Sequence, residues 1–95
     1  MKKLKIWVEV KKINFKIITP NGIFQESKAD SVTVKTKFGY RVAQYAITPF
    51  VGIIVPSILH IKNEKETYQL QIKSGIVYAN KFEVLIFTED KLVFT

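Results

Sequence analysis

Ninety-five residues allow one small domain and leave no room for a second core. Fifteen Lys and Arg against eight Asp and Glu give a net charge of +7, but only Arg41 is Arg, and this tempers a nucleic-acid reading because bidentate recognition of phosphate and guanine favours Arg. The absence of Cys excludes disulfides, thiolate nucleophiles and zinc–cysteine sites, and a single His (His60) with two Asp (Asp30, Asp90) leaves too few groups for a catalytic triad or a metal cage.

Ile and Val supply 23 residues and Ala and Leu only nine, a β-branched bias that predicts an all-β chain. Leu4, Ile6, Val8 and Val10 alternate with Lys5, Trp7, Glu9 and Lys11, as in a strand. Trp7 lies on the polar side of that strand, so both faces are sticky and a cover is expected, either a partner or a further part of the domain. Met1-Lys2-Lys3 is unsuited to a secretory signal, because Lys5, Glu9 and Lys11 interrupt the apolar stretch that should follow. Ile13, Phe15 and Ile17 repeat the alternation, and Pro20-Asn21-Gly22 supplies a turn. Val32 and Val34 alternate with Thr33 and Lys35. The apolar run Phe50 to Leu59 carries Gly52, Pro56 and Ser57 and is too short to cross a bilayer.

Tyr68, Leu70 and Ile72 alternate with Gln69, Gln71 and Lys73. Phe82, Val84 and Ile86 form a last apolar face, and the added Leu85 and Phe87 predict burial on both sides. Turn chemistry recurs at Asn63-Glu64-Lys65-Glu66, Ser74-Gly75, Asn80-Lys81 and Glu89-Asp90. Short strands at this spacing read as a β-sandwich or barrel; the expected fold is all-β, an antiparallel β-sandwich of about eight to ten short strands.

From Ile13 onward the order of features resembles the N-terminal β-sandwich of the epsilon subunit of F-type ATP synthases. Phe15-Lys16-Ile17-Ile18-Thr19-Pro20-Asn21-Gly22-Ile23-Phe24 is similar to that family's opening strand and "TP-G" turn. Ala29-Asp30-Ser31-Val32-Thr33-Val34 is similar to its second strand, and Ile47-Thr48-Pro49-Phe50 running to Pro56 to its "HAPL" segment. Ser74-Gly75-Ile76-Val77 stands where the family has an "SGG" turn. The departures are specific. Val42-Ala43-Gln44-Tyr45-Ala46-Ile47 lacks the family's Pro and His, and the loop that resembles the part meeting the c-ring reads Lys37-Phe38-Gly39-Tyr40-Arg41, basic and aromatic where the family's is often acidic.

The resemblance implies residues 13–95 as the epsilon-like domain and 1–12 as an added strand-like extension, with no C-terminal helical hairpin and none of the regulation or nucleotide binding assigned to it. It also implies a non-catalytic central-stalk subunit of a rotary F-type or F-type-derived ATPase. Such a subunit would clamp the foot of a gamma-like subunit, next to a catalytic hexamer, with its c-ring contact in doubt. The expected location is cytoplasmic, or peripheral on the cytoplasmic face of the membrane without direct insertion.

No catalytic, cofactor or metal residue is expected. His60, without a second His or a Cys nearby, reads as structural or surface. Asp30 reads as a turn residue bonded to nearby backbone. The residues expected to touch a partner are Trp7, Lys37, Phe38, Tyr40, Arg41 and Tyr45; a turn whose Phe38 folds inward is the plain alternative. The alternative from another class is a small basic β-barrel that binds single-stranded nucleic acid by stacking bases on its twelve aromatics.

Overall fold

The computed structural model describes residues 11–89 and 92. The strand expected over Leu4 to Lys11, Trp7 with it, lies almost wholly outside these residues. Within them the chain forms nine strands and no helix: β1 (Ile13–Thr19), β2 (Gly22–Ala29), β3 (Ser31–Thr36), β4 (Gly39–Ala43), β5 (Phe50–Ile54), β6 (Ser57–Asn63), β7 (Glu66–Ile72), β8 (Gly75–Ala79) and β9 (Glu83–Phe87). They hydrogen-bond in the order β2-β1-β9-β8-β5-β3-β6-β7, with β4 on the outer edge of β3.

Two short hairpins use the same closure. Thr19 faces Gly22 across Pro20-Asn21, and Thr36 faces Gly39 across Lys37-Phe38. In each, the Thr hydroxyl donates to the Gly carbonyl (3.1 and 2.9 Å) and accepts from the amide two residues on (3.2 and 3.1 Å). Gly22 and Gly39 sit at φ +114° and +107°, where a Cβ would be strained. The second of these hairpins spans the segment Lys37 to Arg41, which the sequence reading treated as a loop.

A longer hairpin organises the rest. β5 pairs β8 from Phe50↔Ala79 to Ile54↔Gly75, and β6 pairs β7 from Ser57↔Ile72 to Asn63↔Glu66, all in one unbroken register. At Pro56 the ladder lapses, because proline has no N–H to give, and both strands of the hairpin bend. The bend passes the chain from one layer (β2, β1, β9, β8, β5) to the other (β4, β3, β6, β7). Val55 N–H donates to the Lys35 carbonyl (3.1 Å) and Lys37 N–H to the Ile53 carbonyl (3.0 Å), tying the corner to β3.

The inward phase of each strand closes one core: Ile13, Phe15 and Ile17 from β1, Val32 and Val34 from β3, Leu59 and Ile61, Leu70 and Ile72, Val77 and Ala79, Val84 and Ile86. This is the expected all-β sandwich. One pairing, β1 with β9, is parallel, which side-chain alternation does not encode because it has the same period in both orientations.

Candidate partner-binding surfaces

The strand register places a band of apolar side chains on the outside of the first layer. Ile53 faces Ile76, Ile76 faces Phe87, Phe87 faces Ile18, and Ile18 faces Ile23. The row crosses five strands without a polar residue. A bulge supports its far end: Ile17 pairs Gln25 but Ile18 pairs Ile23, so Phe24 is the extra residue on β2 and Ile23 falls into line with Ile18. The neighbouring row reads Val51, Tyr78, Leu85, Lys16 and Glu26, and ends in a Lys16–Glu26 ion pair at 3.5 Å.

These side chains are open to solvent: Val51 is 67% exposed, Ile53 52%, Ile76 50% and Phe87 41%. Ile18, Pro20, Ile53, Ile76 and Phe87 also line an open groove of about 700 Å³. Burying the exposed half of an Ile side chain is worth about 1–1.5 kcal/mol, and contiguous apolar patches of this kind mark surfaces covered by a partner. Phe87, expected to be buried, belongs to this outer row. Only its place in an apolar run, Leu85-Ile86-Phe87, hinted at it in the sequence.

Of the partner-contact residues expected from sequence, Lys37, Phe38, Tyr40 and Arg41 share the β3–β4 hairpin, Tyr45 lies apart from them, and Trp7 is outside the described residues. At the apex of the β3–β4 hairpin Phe38 is 93% exposed beside Lys37, so it does not fold inward. Tyr40, on β4 across from Lys35, lies under the Lys35 ammonium (5.5 Å to the ring centroid). Arg41 projects from the other face of β4 and stacks on Phe50 at 4.7 Å. Tyr45 is at the far end of β4, against Phe82 (centroids 5.8 Å apart) and under Lys11 (5.6 Å). The Ala46 N–H holds its loop to the Lys81 carbonyl (2.8 Å).

A polar knot accounts for Asp30. One carboxylate oxygen accepts from Lys12 Nζ (3.1 Å) and the other from the Glu64 amide (2.6 Å), while Lys12 also donates to Asn63. The Glu64 amide first and Lys12 second hold the Asp30 carboxyl below its ordinary value near 3.8. The knot ties the β2–β3 corner to the β6–β7 turn and has the geometry of a structural clasp. His60 is half-buried on the outer face of β6, opposite Thr33 and Gln69. Among the described residues no three His, Asp or Glu gather to hold a metal ion, and no helix is long and apolar enough to cross a membrane.

Comparison with known proteins agrees with the fold and with the resemblance read from sequence. Residues 12–92 match the family model described as ATP synthase, Delta/Epsilon chain, beta-sandwich domain. The chain is 33% identical over 81 residues to the ATP synthase epsilon chain of Mycoplasmopsis synoviae, covering 83% of this chain and 59% of that one. It is 40% identical over 74 residues to the ATP synthase epsilon chain of Mycoplasmopsis pulmonis, covering 76% and 52%. The chain thus spans between half and three-fifths of the length of these relatives. In fold it is similar to a chain of the Euglena gracilis mitochondrial ATP synthase OSCP/F1/c-ring assembly, with a TM-score of 0.79 at 20% identity over 87% of this chain and 53% of that one. It is also similar to a chain of the Tetrahymena thermophila mitochondrial ATP synthase central stalk and c-ring, with a TM-score of 0.70 at 19% identity over 87% and 66%. On the extent of the family match, this chain belongs to the β-sandwich domain family of the ATP synthase delta/epsilon chain.

Proposed function

We propose that the chain works as a non-catalytic epsilon-like subunit in the central stalk of a rotary F-type or F-type-derived ATPase, docking on the foot of a gamma-like subunit. The observation that carries the reading is the uninterrupted outer row Ile53–Ile76–Phe87–Ile18–Ile23. A strand ladder whose outer row is apolar, beside an open groove, suits the apolar ridge of a helix or coiled coil, which gains by the same burial. ATP chemistry would belong to a catalytic hexamer of other subunits. The family membership supports the partner class, and the relatives' name supports the assembly. The β3–β4 hairpin, with its basic and aromatic apex, gives a c-ring contact no support of its own.

The test is co-expression with the gamma subunit of the same cell, followed by gel filtration at low and high salt. Stoichiometric co-elution that survives high salt is expected, because apolar burial is not screened. Elution as a free monomer beside a folded gamma subunit would overturn the reading.

A further inference from the structure

We propose that the β3–β4 hairpin apex is a peripheral membrane-contact device, seating Phe38 at the acyl boundary just beneath the headgroups of an anionic phospholipid surface. The inference is independent of the stalk reading, since it uses neither the outer apolar row nor a gamma subunit. Three observations carry it.

The first is exposure. Phe38 is 93% exposed, the most exposed large apolar side chain among the described residues, and Tyr40 on the same hairpin is 63% exposed. The second is rigidity. The Thr36 hydroxyl accepts from the Phe38 amide (3.1 Å) and donates to the Gly39 carbonyl (2.9 Å), and Gly39 takes the positive φ that closes the turn. A two-residue turn clasped in this way holds Phe38 outward before any ligand arrives, so little ordering entropy is lost on contact.

The third is charge. Residues 31–63 contain no Asp or Glu, whereas they contain Lys35, Lys37, Arg41 and Lys62. Strands β3, β4, β5 and β6 therefore present cations with no carboxylate of their own, and Lys35, Lys37 and Arg41 make no ion pair with a described acid. An apolar apex, an amphipathic Tyr one step behind it and a collar of cations match the layering of a membrane interface. Acyl boundary, glycerol region and anionic headgroups follow in the same order. A single-stranded nucleic acid fits less well, because the two aromatics lie at a narrow turn and not on an extended stacking platform. The contact is one side chain deep and involves no membrane-crossing segment.

Flotation of the whole 95-residue chain with vesicles tests this. One set is phosphatidylcholine alone and the other is three parts phosphatidylcholine to one part phosphatidylglycerol. Binding to the anionic vesicles is expected, with none to the neutral ones and a steep loss as salt rises. Phe38→Ala should weaken binding by about tenfold or more, and Lys37→Gln and Arg41→Gln by about fivefold each. All three are surface changes whose folding is checked by thermal melting. As a spectroscopic readout, Phe38→Trp in a Trp7→Phe background should shift its fluorescence to the blue on the anionic vesicles alone. Equal binding to both vesicle types, unchanged binding by Phe38→Ala, or an unshifted Trp would overturn the proposal. So would a single-stranded oligonucleotide that binds through Phe38 and displaces the vesicles.

Discussion

Replacing Ile76 by Glu places a carboxylate in the middle of the outer row. Its cross-strand neighbours are Ile53 and Phe87, so no cation stands directly opposite it, and Lys16, one row away, is held in an ion pair with Glu26. A docked partner that covers this position would forgo about 1–1.5 kcal/mol of Ile burial and would desolvate a charge without a counterion, for at least about 2 kcal/mol more. Together these weaken the complex with the gamma subunit by a few hundredfold, at about 1.4 kcal/mol per factor of ten. Ile76→Ala removes the area but adds no charge, and should cost about tenfold.

Because Ile76 is already half exposed, the free Glu variant should lose no more than about 1 kcal/mol of stability. Ile58→Glu is the control. It changes a residue of similar exposure on β6, in the opposite layer, and should leave affinity within about threefold. Isothermal titration against purified gamma subunit reads all three. A folded Ile76→Glu protein that binds as tightly as the parent would refute the assignment of this face, as would an equal loss from Ile58→Glu.

Three further predictions concern the fold that presents the face. A Cβ on Gly75 would lie 2.7 Å from the Phe87 carbonyl oxygen, and both strands are central; Gly75→Ala should cost about 2–3 kcal/mol and lower the melting temperature by about 10–20 °C, and a melt within a few degrees of the parent would show that β8 and β9 part easily. Glu64 occupies φ +60°, so Glu64→Gly should stabilise the chain by about 1 kcal/mol, seen as a rise in denaturation midpoint with the slope unchanged. The Asp30 carboxyl is held below its ordinary value by the Glu64 amide and Lys12. Its contribution is therefore full above about pH 4 and is lost as pH falls through the lowered folded value. Asp30→Asn should accordingly melt lower than the parent at neutral pH, with the gap closing towards about pH 2; a gap that ignores pH would exclude the charge as its source.

Much of this structure is local in origin and could be read along the chain. Ile13, Phe15 and Ile17 alternate with Asn14 and Lys16 because one face of β1 is core and the other is not, so period two in sequence becomes inside and outside in space. Asn63-Glu64-Lys65-Glu66 and Pro20-Asn21-Gly22 reverse the chain because their residues favour turns. The second Thr-x-x-Gly closure was harder to see. Lys37-Phe38 lacks the Pro-Asn signature, and the clasp depends on a Thr hydroxyl whose partners are fixed only once the turn exists.

The partner surfaces divide in the same manner. Lys37, Phe38 and Tyr40 were legible as one cluster because they fall within one four-residue stretch. Tyr45 looked like their neighbour and is not, since β4 carries it to the other end of the sandwich against Phe82. No sequence window holds the row Ile53–Ile76–Phe87–Ile18–Ile23. Its members come from five strands, and registers set by hydrogen bonds between distant segments align them.

The all-β class, the two-sided strands, the basic and acid-poor middle of the chain and the family can all be read along the residues. These follow from side-chain shape, charge and residue order, which need no partner. Pairing between distant strands alone sets β1 and β9 parallel, bends the β5–β8 hairpin at Pro56 to build two layers, and lines up Ile53, Ile76, Phe87, Ile18 and Ile23 on the outer face of one layer. Those outcomes depend on which distant strands share hydrogen bonds, and that choice is made by the closing of a common core and not by any local preference.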